Sequence, residues 1–404
     1  MEKRAFGRTG LQVTVLGHGA MEIRGPRVWN GRPVTDDEAQ RILNAVLDAG
    51  INFIDTSYDY GLSEEYIGKF ISHRRGEYFL ATKCGCTFVN KGDHDETPHV
   101  WTRENLLHNI ETSLRRMNTD HVDLWQLHNP TVEEARAGDL VAVLQEVKRS
   151  GKALHIGISS TLPPLADYIP MGVFESFQIP YSGLERKHEE AIAMASRSGA
   201  GVIVRGGVAR GEPGAGLGTA DRWDIFAKAR LADLLAPGED RTGFLLRFTI
   251  SHPGVHTVIV GTKNPDHLAG NVKAIQAGRL PPDVYEEAKR RLTQAGEKPE
   301  QVARPQAEHK PPATPAPTVA PKPAAAPATS APARPTAGAK KAARKPVAKK
   351  KPAAKKKPVA AKKTAAKKKV AKKPLAKKKP VAAKKTAVKK KAAAKKRPAA
   401  KKRK

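Results

Sequence analysis

Residues 34–57 read VTDDEAQRILNAVLDAGINFIDTS, and the two halves of this stretch obey different periods. In the first, Thr35 with Glu38 three positions on makes a capping box. Ala39, Ile42, Leu43, Val46 and Leu47 share one helical face, and Gly50 suits a left-handed stop. The second half, INFIDTS at 51–57, is a short, nearly unbroken apolar run, the pattern of a strand covered on both faces in a parallel sheet. A helix running straight into such a strand predicts a repeating α/β unit.

Outward from this stretch the alternation continues. Further strand candidates are TVLGHGA (14–20), YFLATK (78–83), VDLWQLH (122–128), ALHIGIS (153–159), FESFQIP (174–180), GVIVRG (201–206) and TVIVGT (257–262). Amphipathic helical segments separate them at 103–117, 138–151, 188–199, 241–252 and 265–278. Eight short strands, each followed by helical sequence over roughly 250 residues, is the arithmetic of a (β/α)8 TIM barrel of the α/β class. A doubly wound sheet is the competing architecture. It is disfavoured because no strand is followed by GxGxxG at a helix start: GHGAME (17–22) and GAGLGT (214–219) both lack the last glycine.

The charge divides the 404 residues into two unlike materials. Residues 301–404 hold 36 of the 72 Lys and Arg but only one of the 40 Asp and Glu, Glu308, a balance of +35; residues 1–300 carry 36 − 39 = −3, which restores the overall +32. All Phe, Tyr and Trp lie in the first 300 residues, which excludes one uniformly basic globular protein. The expected organisation is a barrel at 1–296, a Pro/Ala-rich linker at 297–339 and a disordered Lys/Ala/Pro-rich basic tail at 340–404. No stretch approaches the roughly 18 apolar residues of a membrane span, and the N-terminus has no apolar run behind its charges. A soluble, unexported, cytoplasmic protein is expected. The two cysteines, Cys84 and Cys86, are too close for ordinary disulfide geometry and have no other partners, which fits a reducing compartment.

Active-site groups of such a barrel sit at the C-terminal ends of its strands. Asp55, Tyr60 in the loop after it, Lys83 and His128 fall there. Singly, each has an ordinary structural reading as a cap, packing, a solvated charge or a core imidazole. Jointly they suggest chemistry. A Lys ammonium beside a phenol favours the phenolate and makes Tyr60 a useful proton donor and acceptor; Asp55 holds that ammonium, and His128 orients a carbonyl.

These residues carry a resemblance. The opening RAFGRTGLQVTVLGHGAM (4–21), the segment DTSYDYGLSE (55–64), Lys83 in ATK and His128 in LHNP make residues 1 to about 295 similar to an aldo-keto reductase. The resemblance implies hydride transfer from a reduced nicotinamide to a small carbonyl substrate, an aldehyde or a ketone. It casts Asp55, Tyr60, Lys83 and His128 as the catalytic tetrad, with Tyr60 protonating the new alkoxide. It also implies a cofactor extended across the barrel mouth without a glycine fingerprint. Ser159, Ser160 and Gln178 would then hold the nicotinamide carboxamide, and VGTKNPDHLAGN (260–271), with Gly261, Lys263, His267 and Asn271, the adenosine end.

Departures from the family lie on the cofactor side. Ser160 stands where Asn is usual, Arg205 where an aromatic ring often stacks, His267 for a frequent Arg and Gly270 for a frequent Glu. Lys263 is left as the candidate for a 2′-phosphate, so NADPH is expected, with NADH as the alternative. Trp29, Tyr58, Phe88, Trp101 and Trp223 are candidates to line an apolar substrate pocket under loops 84–102 and 208–224. The glycine-rich 206–218 reads either as a cover for the cofactor pyrophosphate or as a surface loop. The spacing Cys84-x-Cys86…His94…His99 offers zinc ligands, but a loop is the simpler reading and zinc would set a positive charge beside Lys83, so no metal is expected.

The tail, with 32 Lys or Arg in the 65 positions 340–404 and no acid, is similar in composition to linker-histone tails. Such a run binds phosphate backbones by counterion release, without reading bases. Non-specific DNA is the leading partner, with RNA, polyphosphate or an anionic membrane surface as other polyanions; a nucleoid-associated location follows. Two readings compete: an active reductase tethered to nucleic acid, and a nucleic-acid-associated protein whose barrel is a cofactor-sensing or interaction module.

Overall fold

The computed structural model describes residues 1–214 and 216–302. The expectations for 303–404, which include most of the linker and all of the basic tail, lie outside the described residues.

Eight parallel strands close into a barrel: β1 (Leu16–Gly19), β2 (Phe53–Asp55), β3 (Phe79–Cys84), β4 (Val122–His128), β5 (Ala153–Ser159), β6 (Ser176–Pro180), β7 (Gly201–Arg205) and β8 (Thr257–Val260). Their order around the barrel follows the chain, and β8 pairs β1 through Val258 with Leu16 and Val260 with His18. Each strand lies within its expected apolar run, except that β3 runs one residue past 78–83 to Cys84. The β8–β1 pairing closes the barrel, whose strands turn one face to the interior and the other mainly to a ring of helices.

The helix read from residues 34–50 spans Asp36–Asp48. Both halves of its capping box form: Glu38 N donates to Thr35 Oγ1 at 3.2 Å and Thr35 N to Glu38 Oε2 at 2.8 Å. Ala39, Ile42, Leu43, Val46 and Leu47 are its buried face, and Gly50 has φ 75°. The segment 103–117 is helical over its full length, and 138–151, 188–199, 241–252 and 265–278 each contain a helix. Helices at Ser63–Ile71, Ala220–Lys228 and Pro282–Gln294 were not foreseen. The first has a polar start, Ser63 and Glu64, that reads as loop. It is helical because both residues are buried and bonded: Ser63 Oγ donates to Ala20 O, and Glu64 Oε1 accepts from Thr82 Oγ1 at 2.7 Å.

One end of the barrel is plugged. An antiparallel hairpin, Lys3–Ala5 with Gln12–Thr14, carries Phe6 and Val13 under the barrel, where they pack with Phe53, Ala81, Leu124, Ile203 and Ile259. Gly201 is required here, since a Cβ would lie 2.6 Å from the Phe6 ring. With the N-terminal ends filled, the mouth at the C-terminal ends is where a ligand can enter. Residues 297–302, expected to begin the linker, still lie on the barrel: Arg186 N donates to Glu297 Oε1, Glu300 N donates to Lys187 O, and Val302 packs on the core. No helix of the described residues is long and apolar enough to cross a membrane.

Candidate active site

Asp55 and His128 end β2 and β4, Lys83 lies next to last in β3, and Tyr60 sits on the turn before the helix Ser63–Ile71. The fold brings the four together. Lys83 is fully buried; its Nζ donates to Asp55 Oδ1 at 2.6 Å and to Thr56 O at 2.7 Å, and stands 4.9 Å from the Tyr60 ring centroid. The second oxygen of Asp55 accepts from Gln178 Nε2 at 2.8 Å and Gln126 Nε2 at 3.2 Å. The His128 ring meets the Tyr60 ring edge-on, centroids 6.3 Å apart.

Burial opposes the Lys83 charge, but Asp55 above all, with Tyr60 and Asp59, outweighs it and raises the pKa, so Lys83 stays an ammonium. Tyr60 departs from the expectation that Lys83 would bring its phenol down. Burial pushes the phenol up more strongly than Lys83 and Arg205 pull it down, and Asp55 and Asp59 add to the rise. The physical reason is first the burial of the phenol, which disfavours the phenolate, and then the Asp55 carboxylate, which acts against the Lys83 ammonium beside it. At neutral pH the phenol keeps its proton, the state a proton donor needs.

The sequence reading passed over Asp59. It is 1% exposed, and Ser57 Oγ donates to its Oδ1, Cys86 Sγ donates to its Oδ2 at 3.3 Å, and its Oδ1 lies 3.5 Å from His128 Nδ1. Burial works against this carboxylate, but His128, Ser57 and Cys86 together hold its pKa down at about 2. Nothing in the local run YDYG separates Asp59 from a solvated turn residue, because beyond nearby Ser57 its partners His128 and Cys86 arrive from β4 and from the loop after β3.

On the cofactor side, Ser159 and Gln178 are register partners on β5 and β6, and Ser160 N donates to Gln178 O at 3.1 Å. Arg205 ends β7 close enough to Tyr60 for its charge to act on the phenol, and among the described residues no hydrogen bond or ion pair holds its guanidinium. Gly261 follows β8 with its backbone against Gly19: a Cβ there would lie 2.9 Å from Gly19 O. Lys263 is already engaged, Nζ donating to Pro33 O at 2.8 Å and to Glu38 Oε1 at 3.3 Å. His267 is exposed and Asn271 half-buried, both in the helix Pro265–Gln276 that Asn264 caps.

Of the five aromatic candidates, Trp29 stands at the site, 45% exposed with its ring 5.6 Å from that of Tyr60. Trp101 stacks on His99, whose ring is 5.8 Å from that of His128. Tyr58 and Phe88 pack with the Arg116 guanidinium, and Trp223 with Phe226 and Arg241. Loop 84–102 is a hairpin tied to the segment after β1 by the Arg27–Asp95 pair, with two contacts of 2.7 Å. Loop 206–218 is folded on itself, Leu217 N donating to Arg210 O at 2.8 Å. Of the four residues in the Cys84-x-Cys86…His94…His99 spacing, Cys84 and His94 stand apart: Cys84 Sγ donates to Gln126 O inside the core, and exposed His94 pairs with Asp93, while Cys86 and His99 lie together beside His128.

The sequence profile of the aldo/keto reductase family matches residues 15–212. The uncharacterized oxidoreductase YrpG of Bacillus subtilis is 30% identical over 308 residues, an alignment covering 68% of this chain and 91% of that protein. The chain belongs to the aldo/keto reductase family. A second Bacillus subtilis relative, the uncharacterized oxidoreductase YqkF, is 29% identical over 301 residues, with 69% of this chain and 93% of that protein covered. The solved holo form of the aldo-keto reductase AKR11C1 from Bacillus halodurans superposes with a TM-score of 0.63 at 29% identity, covering 72% of this chain and 96% of that one. As an aldo/keto reductase, the protein is an oxidoreductase of a family that uses nicotinamide cofactors and acts on small carbonyl compounds.

Proposed function

We propose that the protein reduces an aldehyde or ketone to the alcohol, with Asp55, Tyr60, Lys83 and His128 as its catalytic residues. The observation that carries this reading is the buried Lys83–Asp55 pair beneath the Tyr60 ring, with His128 across the phenol at the mouth. When bound, the reduced nicotinamide supplies the hydride to the carbonyl carbon. Tyr60, kept protonated by burial, gives its proton to the alkoxide oxygen, and the neighbouring Lys83 ammonium stabilises the phenolate that remains. His128, backed by Asp59, donates to the carbonyl oxygen and orients it. Asp55 keeps Lys83 charged and in place.

The residues present suit the cofactor. Gln178 turns its amide nitrogen to Asp55, which leaves its carbonyl oxygen to accept from a carboxamide, and the Ser159 and Ser160 hydroxyls are donors beside it. Arg205 supplies a planar cation next to Tyr60 that no hydrogen bond or ion pair holds among the described residues; Gly261 precedes the helix at 265–276, and His267 and Asn271 lie in its first and second turns, beside where an adenosine phosphate would lie. We propose NADPH over NADH, with Lys263 exchanging Glu38 for the 2′-phosphate. Residues 1–302 form the catalytic barrel in this reading, residues 303–339 a spacer, and 340–404 a tether to DNA or another polyanion that holds a cytoplasmic enzyme at the nucleoid. The 32 cations in 65 positions support the tether.

The test is consumption of NADPH and NADH over a panel of aldehydes and ketones. Turnover that falls at least about a hundredfold in Tyr60→Phe, with cofactor binding retained, supports the reading. No turnover across the panel despite cofactor binding would favour a sensing module instead.

A further inference from the structure

We infer that Cys86, His99 and His128, with Asp59 behind them, form a binding site for a thiophilic divalent cation, zinc above all, and that its occupation stops turnover. The ligand atoms of Cys86, His99 and His128 all lie within 4.8 Å of one another. Zinc–ligand bonds of about 2.0–2.3 Å arranged tetrahedrally put neighbouring ligand atoms about 3.5 Å apart. Cys86 Sγ and His128 Nδ1 are already 3.6 Å apart, so His99 is the ligand that must swing in.

The protein part of this site is built. Cys86 and His99 face each other across an antiparallel bridge, flanked by Thr87 N donating to Pro98 O at 2.9 Å and Val100 N donating to Gly85 O at 2.6 Å. The Cys86 carbonyl accepts from Asn109 Nδ2 at 3.1 Å and Asn105 Nδ2 at 3.3 Å, which fixes the backbone that carries the thiol. Trp101 stacks on the His99 ring. Asp59 touches both Cys86 Sγ and His128 Nδ1, where it can orient the ligands or supply a fourth.

Charge, the objection raised by Lys83, is met locally. The Cys86 thiol proton leaves to solvent as the zinc–sulfur bond forms, and the resulting thiolate with the Asp59 carboxylate neutralises the ion, while Asp55 answers Lys83. An ion on Nδ1 pins the His128 imidazole against the Cys86–Asp59 wall, and the ring no longer follows the carbonyl oxygen.

The effect on turnover rests on the proposed role of His128; the binding does not. Full-length protein stripped of metal is titrated with Co²⁺ and then Zn²⁺. One equivalent of cobalt should give a thiolate charge-transfer band that zinc removes, unchanged in Cys84→Ser and absent in Cys86→Ser. Zinc affinity should fall at least about tenfold in Cys86→Ser and in His99→Gln. Zinc should inhibit the wild type over the range in which it binds, with each variant referred to its own zinc-free rate. A missing band, zinc affinity unchanged in both variants, or inhibition that persists in Cys86→Ser overturns the assignment. The band needs no substrate, so a protein that reduces no carbonyl still reports on the site.

Discussion

Replacing Asp59 by Asn tests the network that the fold builds around His128. The carboxylate is nearly fully buried, yet its pKa is held at about 2 against an ordinary 3.8. The native value is the lower one, so the group stabilises the fold above the unfolded value, and that contribution is lost as pH falls through the native one. A difference of nearly two units corresponds to about 2 kcal/mol at neutral pH, of which about half remains at pH 3. Asn keeps the shape but cannot be charged opposite His128. In urea unfolding at pH 7, Asp59→Asn should therefore be about 2 kcal/mol less stable than the wild type, and the gap should shrink chiefly between about pH 4 and pH 2. The carbonyl reductase assay should show a lower kcat, because His128 loses its anchor. A stability gap that stays constant over the whole acid range would refute the reasoning.

Gly85 has φ 112°, and a Cβ on it would lie 1.9 Å from the Trp101 ring; Gly85→Ala should cost about 2 kcal/mol, read as a lowered Tm, and should raise KM by displacing the wall that carries Cys86 and His99. Arg205→Tyr should tighten the oxidised cofactor relative to the reduced one, since a guanidinium disfavours a cationic ring; an unchanged ratio in fluorescence titration would remove Arg205 from the nicotinamide site. The full chain and a 1–302 truncation should differ in DNA retention at low salt and converge at high salt, with a log–log slope of about −9 if about ten phosphates are neutralised. Equal retention at low salt would sink the tether.

The barrel was legible because its signals are local. A strand buried on both faces is mostly apolar, and INFIDTS, VDLWQLH and GVIVRG show runs of that kind; a helix start must satisfy its own free N–H groups, and Thr35 with Glu38 does so within four residues. The helix at 63–71 escaped notice for the opposite reason. Ser63 and Glu64 look solvated until Ala20, Thr82 and Arg116 arrive from other elements to bond them. Tyr58, Phe88 and Trp223 were plausible pocket residues by type, and only packing assigns them to Arg116 and Arg241.

The sequence by itself determined the alternation of strand and helix, the strand ends where Asp55, Lys83 and His128 fall, and the division of charge between a near-neutral barrel and a tail of +35. These depend on the order of residues along the chain. Tertiary structure alone decided that Asp59 backs His128, that Cys86 and His99 converge on the same imidazole, that Lys263 is engaged by Glu38, and that the Tyr60 phenol is held above its ordinary pKa. The first three are contacts between groups that separate strands and loops bring together, and the last is a balance of desolvation against the charges so gathered; none exists until the barrel closes.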